Sequence, residues 1–147
     1  MHIDELPHTR VSHLVRSGDL NHHGTLFAGR MSEWVVEAGF IGAQCALEID
    51  PAHLVCLKIH GLIFTKGALS GNIVDLVARP AYVGRTSITV YVEAFIPRRD
   101  EASVLDGFIT FVCVKDGESA PHGLEVERPA GGEALRLWEK AEQLRKA

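Results

Sequence analysis

The sequence predicts an α+β fold in which one long, enclosed helix is wrapped by a curled antiparallel sheet and followed by a short closing helix. Three observations carry that expectation. Residues Thr25 to about Leu47 lack proline and repeat apolar residues at helical spacing, in Phe27, Met31, Trp34, Val35, Ala38 and Ile41. Runs rich in Val, Ile, Phe and Tyr follow at His53 to Thr65, Asn72 to Val83, Thr86 to Ile96 and Leu105 to Val114, separated by glycine. Glu133 to Lys146 then returns to helical spacing, with Leu135, Trp138, Ala141 and Leu144 along one side.

In chain order, Val11 to Arg16 reads as a short strand and Ser17 to Gly24 as a turn-rich loop. The long helix is apolar on more than one side, because Val36, Phe40 and Ala43 lie off its first stripe, so other elements should enclose it. Its polar residues, Arg30, Glu33, Glu37 and Gln44, fall on one line that meets water or lines a cavity. Asp50-Pro51 should end this region. Ser87 to Phe95 alternates, with Ile88, Val90, Val92 and Ala94 on a packed face and Thr89, Tyr91, Glu93 and Phe95 on a partly wet one. Gly67 to Gly71, Gly84-Arg85 and Pro97 to Ser103 are spaced as hairpin turns. A single curled sheet leaves open edges, so two subunits are expected to join theirs.

A chain of 147 residues suits a single domain, 1–147, with a core at about residues 9–116 and the closing helix at about 132–146. The formal charge of -4 offers no basic footprint for nucleic acid or an anionic membrane. Cys45, Cys56 and Cys113 are widely spaced in apolar surroundings, which predicts small core residues of a reduced, cytoplasmic protein. The start MHIDELPHTR lacks the basic-then-apolar order of a signal peptide, and no apolar stretch reaches the roughly 18 residues of a membrane span.

Three elements occur in a telling order: Asp19-Leu-Asn-His-His-Gly-Thr-Leu-Phe-Ala-Gly29, the helix Met31 to Ala43, and Val83-Gly-Arg-Thr-Ser87 before an alternating strand. Over roughly Arg10 to Lys115 the chain resembles the hotdog-fold acyl-CoA thioesterases, most of all the branch acting on a range of cytosolic acyl-CoAs. The resemblance implies hydrolysis of an acyl-CoA to a carboxylic acid and free coenzyme A, without a metal or redox cofactor. It also implies a site between subunits of a dimer or a larger assembly, such as a tetramer or hexamer.

That chemistry needs a placed water and a stabilised oxyanion. A helix start supplies unpaired N–H groups and the positive end of a dipole. By the resemblance, the N–H of Ala28 is the oxyanion donor and Asn21 positions the water or thioester, in keeping with an amide that both donates and accepts. Asn21 also suits a plain loop-bonding turn. Gly84, Arg85, Thr86 and Ser87 lack the spacing of a phosphate-binding loop before a helix and read as a hairpin turn. The resemblance places this turn near the phosphates of coenzyme A, with Arg85 pairing and Thr86 and Ser87 donating, and Lys66 adding charge nearby. Gly67 and Asn72 stand where the family has proline and aspartate.

The family carries an acid seven residues after the second glycine of its loop, where this chain has Val36; the acid is Glu37, one place later. One helical residue is a rotation of about 100°. A helical bulge could bring Glu37 round, its side chain could reach the cleft from the flank, or it could belong to the surface stripe with Arg30 and Glu33. His23, and less so His22, is the alternative base, since imidazole titrates near neutrality. A metal site on the two neighbouring histidines is disfavoured because their side chains diverge and no further ligand sits at the right spacing. His60 reads as a strand-face residue and His122 as turn surface. A non-catalytic acyl-CoA-binding hotdog protein, lacking the acid at position 36, is the alternative to the enzyme, and bulky Trp34 and Phe40 hint at a limited acyl pocket.

Overall fold

The computed structural model describes residues 1–99 and 102–146. Its main elements are β1 (Thr9–Leu14), α1 (Ala28–Leu47), β2 (Leu54–Phe64), β3 (Ile73–Val83), β4 (Ser87–Phe95), β5 (Leu105–Lys115), the two-residue β6 (Glu118–Ser119) and α2 (Gly132–Lys146). The sheet runs in the order β1-β3-β4-β5-β2, with β6 paired to β5, and every pairing is antiparallel. It curls around α1, which packs against β1, β3, β4, β5 and β2.

Val35 of α1, Leu76 of β3, Ile88, Val90 and Val92 of β4, and Ile109 and Phe111 of β5 form the sealed centre of the core. Each such side chain stabilises the fold by about 1.5–3 kcal/mol. Close docking of helix on sheet needs Gly42, because a Cβ there would lie 2.9 Å from the Cβ of Ala78 on β3. Pro80 fits within β3 because β1 ends its pairing at Ala78, leaving no partner there to miss its N–H. A register shift follows at Pro80/Tyr82.

The structure moves several expected boundaries. β1 spans Thr9–Leu14 rather than Val11 to Arg16, since residues 17–19 form a 3-10 turn that takes the chain off the sheet. α1 begins at Ala28 and not Thr25, because Thr25 bridges Leu69 and Leu26 bridges Leu20 in extended conformation. Gly67 to Gly71 is not a hairpin turn: β2 pairs with β5 at the far edge, so this segment is a crossover. Gly84-Arg85 does turn a hairpin, between β3 and β4, whereas the middle of the expected Pro97 to Ser103 turn lies outside the described residues.

The expected wet face of β4 is covered over part of its length. Ala81, Tyr91 and Phe108 pack there with Leu137 and Ala141 of α2, and Thr89 is sealed as well. Of the three cysteines expected in the core only Cys113 is buried; Cys45 and Cys56 are exposed, the latter on β2. That strand is an open edge with apolar residues facing outward: Leu57 and Ile63 are each 65% exposed, and Val55, Ile59 and Phe64 are exposed too. Among the described residues no helix is long and apolar enough to cross a membrane.

Candidate active site

The loop before α1 is tied down by backbone bonds that fix where the helix starts. Asn21 N–H donates to the Thr25 carbonyl at 2.7 Å, Leu26 N–H to Ala68 at 2.8 Å, and Phe27 N–H to the Asp19 carbonyl at 2.8 Å. Asp19, only 5% exposed, accepts the Arg16 backbone N–H at 2.9 Å and meets Arg30 Nε at 3.2 Å. One residue thus clamps the loop to the first turn of α1. Phe27 is the N-cap, yet it offers no side-chain acceptor, so the first N–H groups of the helix carry no side-chain cap. Gly29 lets the Phe27 ring fold back over this start, since a Cβ there would lie 2.5 Å from the ring.

A cavity of about 260 Å³ opens at the helix start and brings together Asn21, Ala28 and Lys66 with Leu26, Met31 and Phe64. Asn21 is partly fixed by its own loop. Its Oδ1 accepts the N–H groups of His23 at 2.8 Å and Thr25 at 3.2 Å, while Nδ2 donates to Thr25 Oγ1 at 3.1 Å. Two N–H donors identify which amide atom is the oxygen, and they leave it little capacity to accept from a water. The amide nitrogen has a second hydrogen, so Asn21 can act on a ligand as a donor. Together with the helix start this gives two neutral donors beside an apolar hollow, suited to a carbonyl oxygen that gains charge.

The acid stands elsewhere. α1 is α-helical without a bulge from Ala28 to Leu47, which removes one of the three ways to bring Glu37 round. Val36 lies one turn before Phe40, whose ring meets Phe111 of β5 edge-on at 5.9 Å. Glu37, 58% exposed, turns instead to β1, where its Oε1 is 3.4 Å from His13 Nε2. The His13 ring stacks on Trp34 with centroids 4.4 Å apart. His13 gave no signal in the sequence beyond alternation in a short strand. The expected stripe is realised only in part: Arg30 bonds Glu33 at 3.0 Å, and Gln44 donates to the Ile49 carbonyl. Trp34 and Phe40 do not line the cavity.

His22 and His23 are exposed, with ring centroids 3.9 Å apart, and His23 adjoins Asn21 through its backbone bond. Among the described residues no three His, Cys, Asp or Glu side chains are grouped to hold a metal ion.

The Gly84 to Ser87 hairpin borders a separate groove of about 400 Å³, where Gly84 and Arg85 face Pro121, Leu124 and Glu125; it shares no lining residue with the Asn21 cavity. Lys66 belongs with Asn21 and not with this turn. Ser87 is buried and its Oγ accepts from Arg145 Nη2 at 2.9 Å. Thr86 presents its carbonyl to Cys113 N–H at 2.7 Å. His122, expected on a turn surface, is half-buried and fastens the hairpin. Leu124 N–H donates to its Nδ1 at 3.0 Å, so Nε2 carries the proton and donates to the carbonyls of Gly84 at 2.7 Å and Ser87 at 3.1 Å. His60 bonds Thr110 Oγ1 at 2.7 Å, and burial, then Lys58 and Arg145, hold its pKa below the usual histidine range.

The model of the thioesterase superfamily matches residues 23–103, and the chain belongs to that superfamily. The acyl-CoA thioester hydrolase YciA of Escherichia coli K12 is 27% identical over 121 residues, 78% of this chain and 88% of that protein. An uncharacterized acyl-CoA thioester hydrolase of Buchnera aphidicola subsp. Baizongia pistaciae is 31% identical over 86 residues, 58% of this chain. The match spans 61% of that relative's length. Among solved structures, an apo-hexameric acyl-CoA thioesterase superposes with a TM-score of 0.84 at 27% identity, covering 99% of this chain and 92% of that one. A hexameric hotdog-fold thioesterase of Campylobacter jejuni gives 0.66 at 27% identity, over 76% and 86%. The curled sheet, long helix and closing helix are the expected hotdog fold.

Proposed function

We propose that this protein hydrolyses an acyl-CoA thioester to a carboxylic acid and free coenzyme A. The observation that carries the reading is the cavity in which Asn21 and the uncapped start of α1 at Ala28 converge beside an apolar hollow. The thioester carbonyl accepts from Ala28 N–H and Asn21 Nδ2, both of which stabilise the oxyanion more than the ground-state carbonyl. His23, on the same loop, takes the proton of the attacking water, with Glu37 of a partner subunit the other candidate. Water adds to the carbonyl carbon, the tetrahedral intermediate collapses, and the coenzyme A thiolate leaves and takes up a proton.

Arg85 and the Gly84 to Ser87 turn hold phosphates of coenzyme A, with Thr86 contributing and Ser87 acting through its bond to Arg145; Lys66 adds charge at the cavity mouth. Coenzyme A is part of the substrate, and no metal or other cofactor takes part. The apolar β2 edge joins a second copy, in line with the hexameric state named for two similar structures, and the site is completed there. We place this single domain, residues 1–147, in the cytoplasm, acting apart from nucleic acid and membranes.

One observation favours a second reading. Position 36 holds valine and Glu37 faces His13, which suits a protein that binds acyl-CoA without turnover. Purified protein assayed for thiol release across acyl-CoAs tests both. Release above the protein-free rate supports the hydrolase; acyl-CoA raising the melting temperature with no release supports the binder.

A further inference from the structure

The cavity at the start of α1 has two unlike parts. Ala28, Phe64 and Lys66 are exposed and form its mouth, whereas Leu26 (8%), Met31 (4%) and Ala68 (1%) are buried and form an apolar floor. A thioester carbonyl held at the mouth by Ala28 and Asn21 sends one substituent inward and the other out. Coenzyme A is large and polyanionic, and burying its charges on that floor would leave them without partners. The acyl chain therefore points inward.

We propose that this hollow, about 260 Å³ within one chain, takes the aliphatic acyl group and that Met31 sets its maximum length by closing the floor. Met31 projects from the first turns of the same helix that supplies the oxyanion donor, so the distance from reacting carbonyl to floor is fixed by one rigid element. Its unbranched thioether is the longest side chain of that floor and the one most readily shortened. The inference rests on the thioesterase reading for the placement of the carbonyl, and it goes beyond it in naming what the pocket selects.

The test is the ratio kcat/KM across straight-chain acyl-CoAs from acetyl to dodecanoyl, for the wild type and for Met31→Ala, Met31→Leu and Ala68→Val. For the wild type, kcat/KM should fall roughly tenfold or more with the first methylene that outgrows the floor. Met31→Ala removes Cγ, Sδ and Cε and should move that fall to chains longer by about two or three carbons. Met31→Leu, which keeps the volume, should leave it in place. Ala68→Val raises the same floor and should move it the other way, so the proposal stays testable if Met31→Ala does not fold. An identical chain-length profile in every folded variant overturns the role of Met31. Absence of thiol release from the wild type overturns instead the hydrolase reading; heat stabilisation ranked by chain length then reads the same floor, and a ranking that Met31→Ala leaves unmoved overturns this inference as well.

Discussion

On one flank of α1, Phe40 meets Phe111 of β5; on another, Arg30, Trp34 and Glu37 meet Asp19 and His13 from the segment before the helix. The first flank is apolar, and beyond it Leu57 and Ile63 lie open on β2. The second has its polar partners within the same chain. Residues 36 and 37 are adjacent in sequence, and Glu37, about 100° round the helix from Val36, turns to β1. A carboxylate moved by one position therefore meets His13 of β1 within its own chain.

The comparison can be broken first at its apolar side. Leu57→Lys puts a charge on an edge that a second copy is expected to cover, and should abolish self-association together with turnover, as read by sedimentation and thiol release. An assembly unchanged in mass would mean that β2 is not the joining edge. On the polar side, Asp19→Ala removes the clamp between Arg16, Arg30 and the helix start and should cost about 1–3 kcal/mol in denaturant unfolding. It should lower turnover even where folding is complete, because the Ala28 N–H loses its fixed place.

Smaller effects sharpen the contrast. Glu37→Gln removes the charge from a contact with His13 in which Glu37 itself is largely exposed, worth about 0–1 kcal/mol. It should leave turnover within a few-fold of wild type if His23 is the base; a loss of a hundredfold would show that the partner's site uses this acid. The smallest effect is expected under α2. Burial, then Asp106 and Glu133, hold the Glu93 pKa above the usual carboxylate range. Between the unfolded and folded pKa values the folded state binds more protons, so stability falls as pH rises through that window. Glu93→Gln should match the wild-type melting temperature at about pH 4 and exceed it at about pH 7. Equal pH slopes would show that Glu93 is not strained there.

Sequence reasoning reached the elements because periodicity is local. The spacing of Met31, Trp34, Val35 and Ala38 marks α1, and the alternation from Ile88 to Ala94 marks β4. It misjudged what depends on distant partners. Gly67 to Gly71 looks like a hairpin whether or not β2 and β3 are neighbours, and the crossover follows only from β2 pairing with β5. The wet face of β4 closes because α2, more than forty residues on, docks over Tyr91.

At the site, Asn21 and Ala28 were legible from a loop motif and came together in one cavity, where Lys66, expected beside the Arg85 turn, joins them instead. Asp19 stood in that motif two places before Asn21, but its burial and its hold on Arg30 depend on the folded loop. The offset between Val36 and Glu37 could be counted in the sequence; the flank each occupies could not. His122 and Arg145 grip the Gly84 to Ser87 turn from the far end of the chain, which no spacing rule foretells.

The central claim is that Asn21 acts on the thioester as a hydrogen-bond donor beside Ala28. Asn21→Asp keeps an oxygen for the N–H groups of His23 and Thr25 and removes the amide hydrogens that would reach the carbonyl. The decisive measurement is steady-state thiol release from a short acyl-CoA by wild type and Asn21→Asp, with melting temperatures compared. The account predicts a kcat lower by about 10²–10³ at little change in stability. Equal kcat in the two folded proteins would contradict it.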